Sequence, residues 1–425
     1  MKVKSLILIL LFSFLAFIVS AQCPPFDSIT KATITKRVSS AVTAPAKLSI
    51  MLQYYDIIVK CGFKKDSTYA WLIYKIGSHY YVYSSSTDGI KYLQEYINFY
   101  KPGINDGVVT NEGVVNSYYF LSKLYDGLNN IASRNANDSC IIISERLNDP
   151  YNAACLQCLA ARTQYFYDIG EYKLCTNDAE KCENYARGFL KIVTSKDLKD
   201  FGESVINYNL HWRINALTAM KRFAEAEKLL ASKVEEYNKG EPNDYLALTY
   251  AQLAPVLEAE GKYEESLADL NLALKIYKGI RKNFSCKQVL NKIGQDLYVD
   301  HYKDYDKALT CFKTALTFVN DNPALNRPDS IESLSIYGAI ANIYIQKGLF
   351  DSGFNYFNLA MSFIKKGADI NYILNSSQDE FSGIKKIEYL SDLLINYGNA
   401  YKRKYDAKGE AQDLTNAILF YSKVD

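Results

Sequence analysis

The sequence predicts an all-α protein that folds as a right-handed α-solenoid, a row of stacked helix pairs. Its 425 residues are 48% hydrophobic and include only nine prolines, which is ample for a large helical core. Small and large apolar residues alternate across residues 339–361 at intervals that a single amphipathic helix does not explain. A similar register recurs in eight segments of the chain, and such repetition is typical of solenoids.

The first 21 residues have the features of a secretory signal peptide. Lys2 and Lys4 precede the continuous apolar run Ser5–Val19, and the small-residue sequence Val-Ser-Ala ends the segment. We therefore expect cleavage after Ala21 and export of the mature chain, either to the periplasm or out of the cell. The Ser-Ala-Gln sequence at this junction resembles export signals of Bacteroidetes.

Neither a membrane anchor nor nucleic-acid binding is expected of the mature chain. Cys23 follows Gln22, whereas a lipid-modification signal needs a small residue before its cysteine. The apolar run is short for a membrane span, and no second run follows it. Removal of the signal peptide takes away two lysines and leaves 47 basic and 47 acidic residues. This balance gives no electrostatic support for binding nucleic acid or anionic lipid.

Each repeated segment is interpreted as two antiparallel helices joined by a tight turn. Ala341 and Gly353 are placed where one helix crosses the other, because larger side chains there would hold the backbones apart. Gly348 lies between the two helices, in a turn that favours a left-handed backbone. The central small position of the second helix is filled in the eight segments by Ile90, Cys140, Cys175, Ala226, Ser266, Ala308, Gly353 and Ala417.

This pattern resembles the tetratricopeptide repeat (TPR), whose signature is a Leu-Gly-like pair followed by Tyr, Gly, Tyr, Ala, an aromatic residue and Ala. The best matches are Ala341, Tyr344, Gly348 and Phe350, together with Tyr397, Gly398 and Tyr401. The resemblance divides the mature chain into an N-terminal helical segment at 22–68, degenerate TPR-like repeats at 69–200 and regular TPR repeats at 201–425. It implies a scaffold that binds a protein or a peptide.

Two segments depart from the TPR pattern. Pro255 lies inside a first helix, where it should kink the helix or remove a hydrogen bond. Two extra residues near His301 should lengthen the turn of another repeat.

A narrower resemblance concerns the segment Tyr397–Asp425. It is similar to the N-terminal TPR region of Bacteroidetes proteins that carry a C-terminal, caspase-like CHAT domain. This resemblance implies that the chain ends inside a repeat and that a catalytic domain could follow in a longer protein. The histidine and cysteine motifs of that domain would then lie beyond Asp425.

No catalytic constellation is recognised in the sequence. The three histidines, His79, His211 and His301, fall in separate segments without an acidic or cysteine partner at motif spacing. Phosphate-binding loops, dinucleotide-binding fingerprints and zinc-protease patterns do not occur. The sequence therefore predicts no enzymatic activity, no cofactor and no metal site in these residues.

The cysteines allow several interpretations. The four that cluster in the sequence are Cys155, Cys158, Cys175 and Cys182. They could be small core residues, contain one disulfide or bind a metal. Cys158 and Cys182 are nearly equidistant from the turn near Gly170, so they are the candidate disulfide pair. Cys61 and Cys286 stay undecided.

The TPR resemblance implies a ligand groove lined by the first helices of the pairs. The residues just after the Leu-Gly-like pair are Asn215, Gln295, Asn342 and Asn399. His211 and Asn291 precede this stripe by one turn, and Tyr208 and Tyr298 flank it. Carboxamides donate to and accept from a peptide bond, so we predict peptide binding by these eight residues. The alternative is that polar residues are merely tolerated on a solvated helix face.

Overall fold

The computed structural model describes residues 23–25, 29–84, 87–105, 112–126, 128–318, 326–364, 372 and 387–424. The predicted signal peptide lies outside these residues. The described chain is helical and has no β-strand, so the predicted all-α solenoid class is confirmed. It divides into two compact units, one ending at Met220 (unit 1) and one beginning at Lys221 (unit 2).

The described part of unit 1 has nine α-helices. They are α1 (Lys31–Ser40), α2 (Ala44–Lys60), α3 (Ser67–Ser84), α4 (Asp88–Asn105), α5 (Glu112–Tyr125), α6 (Asn130–Arg146), α7 (Ala153–Asp168), α8 (Tyr172–Ile192) and α9 (Lys196–Ala219).

The described part of unit 2 also has nine α-helices, and a π-helical segment follows the fourth of them. They are α10 (Phe223–Tyr237), α11 (Asp244–Ala259), α12 (Tyr263–Gly279), α13 (Asn283–Lys292), the π segment (Ile293–His301), α14 (Tyr305–Thr317), α15 (Asn326–Gln346), α16 (Phe350–Ile364), α17 (Ile387–Lys408) and α18 (Ala411–Tyr421).

Helices that follow one another in the chain pack as hairpins. In unit 1, α3 packs on α4, α5 on α6 and α7 on α8; in unit 2, α11 packs on α12, α15 on α16 and α17 on α18. Each hairpin also contacts the next, for example α6 with α7 and α12 with α13. Within each unit the apolar faces are therefore buried between neighbouring pairs, as a solenoid requires. The boundary at Met220 divides the predicted repeat at 209–230.

Polar side chains fix where many of the helices begin. Asn152 caps α7 by accepting a hydrogen bond from the Cys155 backbone amide at 2.8 Å, and Asn243 caps α11 in the same way at Leu246. Ser195 accepts from the backbone of Leu198 at the start of α9. Each cap satisfies a backbone amide that the helix itself leaves without a partner.

The predicted crossing positions are confirmed, with one correction. A Cβ atom added at Gly353 would lie 2.5 Å from Ile345 Cδ1 and 3.1 Å from the Ala341 carbonyl, so α15 and α16 touch there. Seven of the eight predicted central positions are buried. The exception, Ile90, is half-buried, and the preceding Gly89 is the small residue at the contact. The prediction for this repeat was wrong by one residue because Ile90 was aligned without regard to the glycine beside it.

The turns inside the pairs use a left-handed backbone, as predicted. Gly170, Gly261 and Gly348 have φ between 74° and 79°, a region that glycine enters without steric cost. Lys303, in the turn between the π segment and α14, takes the same backbone conformation with φ of 56°, and so does Arg281, which lies between α12 and the next pair. The turn geometry is therefore kept even where the sequence does not supply glycine.

The two predicted departures from the repeat have different outcomes. Pro255 lies inside α11, which continues through it to Ala259. Near His301, the extra residues are absorbed in the π segment rather than in a longer turn. A π-helix holds more residues per turn than an α-helix, so an insertion widens the helix locally.

Of the interpretations open for the clustered cysteines, the candidate Cys158–Cys182 disulfide is wrong. Both cysteines are free and fully buried, and the Cys182 thiol donates a weak hydrogen bond to the Leu156 carbonyl at 3.6 Å. The disulfide joins Cys23 to Cys61 instead, with their Cα atoms 5.7 Å apart. It ties the residues just after the predicted cleavage site to the end of α2. Among the described residues, no helix is long and apolar enough to cross a membrane.

Candidate functional site

A cleft in unit 2 is the candidate ligand site. It has a volume of about 590 Å³ and lies between the π segment, α15 and α17, which are first helices of three successive pairs. Five carboxamide side chains line it: Gln295, Asn342, Gln346, Asn396 and Asn399. Three of them, Gln295, Asn342 and Asn399, are predicted groove residues that the structure brings to one cleft.

The π segment explains how one cleft wall presents two polar side chains. Gln295 and Asp300 are five residues apart, and their side chains meet: the Gln295 amide donates to the two Asp300 oxygens at 3.1 and 3.2 Å. Residues five apart point in different directions on an α-helix, whereas they share a face of a π-helix. The insertion near His301 therefore adds an acid to the cleft.

Each carboxamide uses one of its two functions inside the protein. The Asn342 amide donates to Asn396 Oδ1 at 3.5 Å, and Asn399 Oδ1 accepts from the Tyr421 hydroxyl at 2.7 Å. Gln346 Oε1 accepts from Arg403 at 2.5 Å.

The second function of each carboxamide is left for a ligand. The structure gives no partner within the described residues to the amide nitrogens of Asn396, Asn399 and Gln346, or to the carbonyl oxygens of Asn342 and Gln295. The cleft thus offers three donors and two acceptors, and a carboxamide matches the two groups of a peptide bond.

The charges of the cleft are mixed. Its basic residues are Lys303, Lys402 and Arg403, and its acidic residues are Asp300 and Asp406. Lys402 and Asp406 form an ion pair at 2.9 Å on the same helix face. Neither sign dominates, so the cleft has no strong electrostatic preference for an anionic or a cationic polymer.

Two further predicted residues lie in unit 2 but do not line this cleft. Asn291 donates to Glu332 Oε1 at 2.9 Å, which ties α13 to α15. Tyr298 lies under the Lys307 ammonium, 5.5 Å from the ring centre, and burial raises the pKa of its hydroxyl.

The remaining three predicted residues lie in unit 1, on α9. The Tyr208 hydroxyl donates to Gln164 Oε1 at 2.5 Å, and the side chains of Asn215 and His211 are hydrogen-bonded at 3.0 Å. Loss of solvent around the ring lowers the pKa of His211, so the neutral imidazole is favoured there. The eight predicted residues are therefore divided between the two units.

The other two histidines make aromatic contacts. His301 stacks on Tyr263 with 3.4 Å between ring centres, and His79 packs on Tyr83 at 4.4 Å. Across the described ranges, no group of three or more His, Cys, Asp or Glu side chains is arranged to hold a metal ion. The metal interpretation of the clustered cysteines therefore has no support.

Sequence reasoning missed two of the five carboxamides. Gln346 lies four residues after Asn342 on α15, and Asn396 lies three residues before Asn399 on α17. Both spacings put side chains on one helix face. Following the polar stripe along each first helix, rather than one position of the motif, would have found them.

The described helix pairs give the chain a TPR-type repeat fold. No protein-family model and no curated protein matches the sequence. Among solved structures, the apo form of RapI has a TM-score of 0.47 and 13% identity, covering 93% of this chain and 95% of its own. A Rap protein complexed with competence and sporulation factor has a TM-score of 0.43 and 13% identity, with the same coverage.

A third similar structure is BtubC (BKLC) from P. vanneervenii. It has a TM-score of 0.44 and 16% identity, covering 59% of this chain and 91% of its own. At these TM-scores the three likenesses say nothing of what this chain binds.

Proposed function

We propose that this chain is a scaffold protein that binds an extended segment of a partner protein in the unit 2 cleft. The observation that carries the proposal is the set of five carboxamides, which present three free donors and two free acceptors from successive first helices. An extended peptide offers alternating carbonyl and amide groups, so the partner is recognised chiefly through its main chain.

Side-chain discrimination is expected to be modest. The mixed charges of the cleft and its apolar residues, such as Val299 and Ile343, accommodate several kinds of ligand side chain. A permanently unfolded protein is therefore a suitable first probe.

Reduced, carboxymethylated lactalbumin should bind the full chain, and calorimetry should show the binding weakened at least about tenfold by a combined Asn342→Ala and Asn399→Ala variant. The midpoint of thermal unfolding should change little, because both residues lie at the surface of the cleft. Asn271→Ala on α12 is a matched control, since this exposed amide donates to the Leu267 carbonyl of its own helix and, within the described residues, to no other helix. A fall in thermal stability with unchanged binding would assign the two asparagines to structure.

We also propose that the chain is exported. The signal-peptide features of residues 1–21 and the Cys23–Cys61 disulfide support this, because disulfides persist mainly in oxidising compartments. Mass spectrometry of the protein expressed with its leader should find Gln22 at the N-terminus and seven titratable thiols after denaturation. A retained leader or nine free thiols would contradict export.

The resemblance of Tyr397–Asp425 to CHAT-domain proteins supports a second hypothesis, in which these repeats regulate a caspase-like protease. Sequencing the reading frame beyond Asp425 tests it. A downstream α/β domain with a histidine and a cysteine at its active site would favour regulation, and an early stop codon would remove the hypothesis.

A further inference from the structure

Unit 1 contains an apolar cavity, which the predicted groove does not explain. This cavity (the α1–α3 cavity) has a volume of about 350 Å³ and lies between α1, α2 and α3. Its apolar walls are formed by Val38 of α1, Met51 of α2, and Trp71 and Val82 of α3. The Met51 side chain is buried in the core, whereas Val82 is 59% exposed. The cavity therefore extends from the core to the solvent.

The charged side chains of the α1–α3 cavity are basic. Lys47, which is half-buried, and Lys75 line it, and no aspartate or glutamate is among the described residues of the lining. The Lys75 ammonium lies over the Tyr74 ring, 5.8 Å from its centre, and the described residues give neither lysine a carboxylate partner. Loss of solvent around the ring lowers the pKa of His79, which also lines the cavity. The neutral imidazole is favoured there, so the two lysines supply the positive charge.

The helices that form the cavity are basic as well. Residues 31–84, from the start of α1 to the end of α3, contain eight lysines and arginines and two acids, a net charge of +6. The mature chain as a whole is formally neutral, so this positive charge is concentrated in its first three helices. A concentration of one sign of charge attracts ligands of the opposite sign. The whole segment therefore favours an anionic ligand in the α1–α3 cavity.

We propose that the α1–α3 cavity binds a fatty acid. An alkyl chain matches the apolar walls, because its burial removes apolar surface of both the chain and the cavity from water. A carboxylate matches Lys47 and Lys75, because an ammonium group has three N–H donors and no acceptor. Hydrogen bonds between an ammonium and a carboxylate are stronger than those between neutral groups.

The shape of the cavity favours a single alkyl chain over a membrane surface. Its apolar residues come from three helices and line one cleft, which is concave as small-molecule sites are. A bilayer is bound instead by an apolar helix face with cations around it. A cationic amphiphile would be repelled by Lys47 and Lys75, and a neutral one would leave both ammonium groups without a partner.

Calorimetric titration of the full chain with sodium decanoate, below the concentration at which it forms micelles, tests this proposal. Decanoate should bind at least about tenfold more tightly than octanoate, because each methylene that enters the cavity tightens binding about fourfold. It should also bind at least about tenfold more tightly than decyltrimethylammonium, which has the same chain and the opposite charge. In a Trp212→Phe variant Trp71 is the one remaining tryptophan, so decanoate should change the fluorescence of that variant.

Variants locate the site. A combined Lys47→Gln and Lys75→Gln variant should weaken decanoate binding at least about tenfold. Val82→Asp should weaken it by about the same factor, because it places a like charge on the apolar wall. Lys36→Gln on α1 and Val59→Asp on α2 are matched controls, since both residues are exposed and lie outside the cavity lining.

Four results would each overturn the proposal. They are no detectable binding of decanoate, equal binding of octanoate and decanoate, equal binding of decyltrimethylammonium, and binding that survives both site variants. In the first case, binding of the full chain to phosphatidylglycerol vesicles would assign the basic helices to a membrane surface instead.

Discussion

Two acids at the same position of the repeat have different surroundings in the two units. Asp178 lies three residues after Cys175 in unit 1, and Asp269 lies three residues after Ser266 in unit 2. Both Cys175 and Ser266 are fully buried at the centre of a second helix, so the backbones correspond. Arg162 holds Asp178 with two hydrogen bonds, whereas no ion pair to Asp269 is found among the described residues.

This comparison shows what the repeat determines and what it leaves to each unit. The crossing residue fixes how two helices pack, and an acid lies three residues after it in both units. Whether a cation lies beside the acid depends on a residue of the adjacent helix that is not part of the repeat motif. In unit 1 this residue is Arg162 of α7. Stability should therefore respond differently to equivalent substitutions in the two units.

The largest effect is expected for Arg162→Met. The side chains of Arg162 and Asp178 are only 16% and 12% exposed, so the variant leaves a poorly solvated carboxylate without its cation. Breaking such a pair should lower the free energy of unfolding by about 3 kcal/mol, measured by urea denaturation. Adding Asp178→Asn should recover about half of this loss, and a single-variant loss below about 1 kcal/mol would contradict the assignment.

The next largest loss of stability is expected from a substitution at a helix crossing position. Gly353 in unit 2 and Cys175 in unit 1 fill equivalent places, but a Cβ at Gly353 would overlap Ile345 of the partner helix. Gly353→Val should destabilise by about 2 kcal/mol through overpacking. Cys175→Val, which begins with a side chain of nearly valine size, should cost less than about 1 kcal/mol. Equal losses of thermal stability in the two variants would mean that the helices are equally far apart at Gly353 and at Cys175.

These tests separate what the sequence predicts from what it does not. Helix pairs, buried small positions and left-handed turns follow from local spacing, and the structure confirms them at residues such as Gly353, Gly261 and Ala308. The error at Ile90 arose where two neighbouring residues could both be aligned with the small position. Local pattern thus predicts packing well and register less well.

Partners between distant residues were not predictable. Asn399 bonds Tyr421 and Asn342 bonds Asn396 across separate helices, and no motif spacing encodes these contacts. The Cys158–Cys182 prediction failed because two cysteines equidistant from a turn need not point at each other. Cys23 and Cys61 are joined through the fold of α1 and α2, which sequence spacing does not reveal.

A smaller effect is expected at the turns. Gly170 of unit 1 has φ of 79°, and a Cβ atom added there would meet nothing within 4 Å, so Gly170→Ala should cost about 1 kcal/mol through backbone strain alone. Arg281 of unit 2 already bears that strain at φ of 56°. Arg281→Gly should therefore leave stability unchanged or raise it by about 0.5 kcal/mol, because a more flexible unfolded chain offsets part of the relief. A loss at Arg281 would show that its side chain stabilises the turn.

The smallest change in stability is expected for Asp269→Asn, and it depends on pH. Burial, together with repulsion from Glu265, raises the pKa of Asp269 to about 6. The folded state therefore holds this proton more tightly than the unfolded state, so stability should fall as the pH rises from about 4 through 6. The penalty is complete at about pH 7, where Asp269→Asn should raise the free energy of unfolding by about 0.5 kcal/mol, a value reduced for partial exposure. Asp178→Asn should have the opposite sign at pH 7, because it removes an acid that Arg162 stabilises. Urea denaturation at pH 4.5 and pH 7 distinguishes the two cases, and equal signs for the two variants at pH 7 would mean that the equivalent acids do not differ in their surroundings.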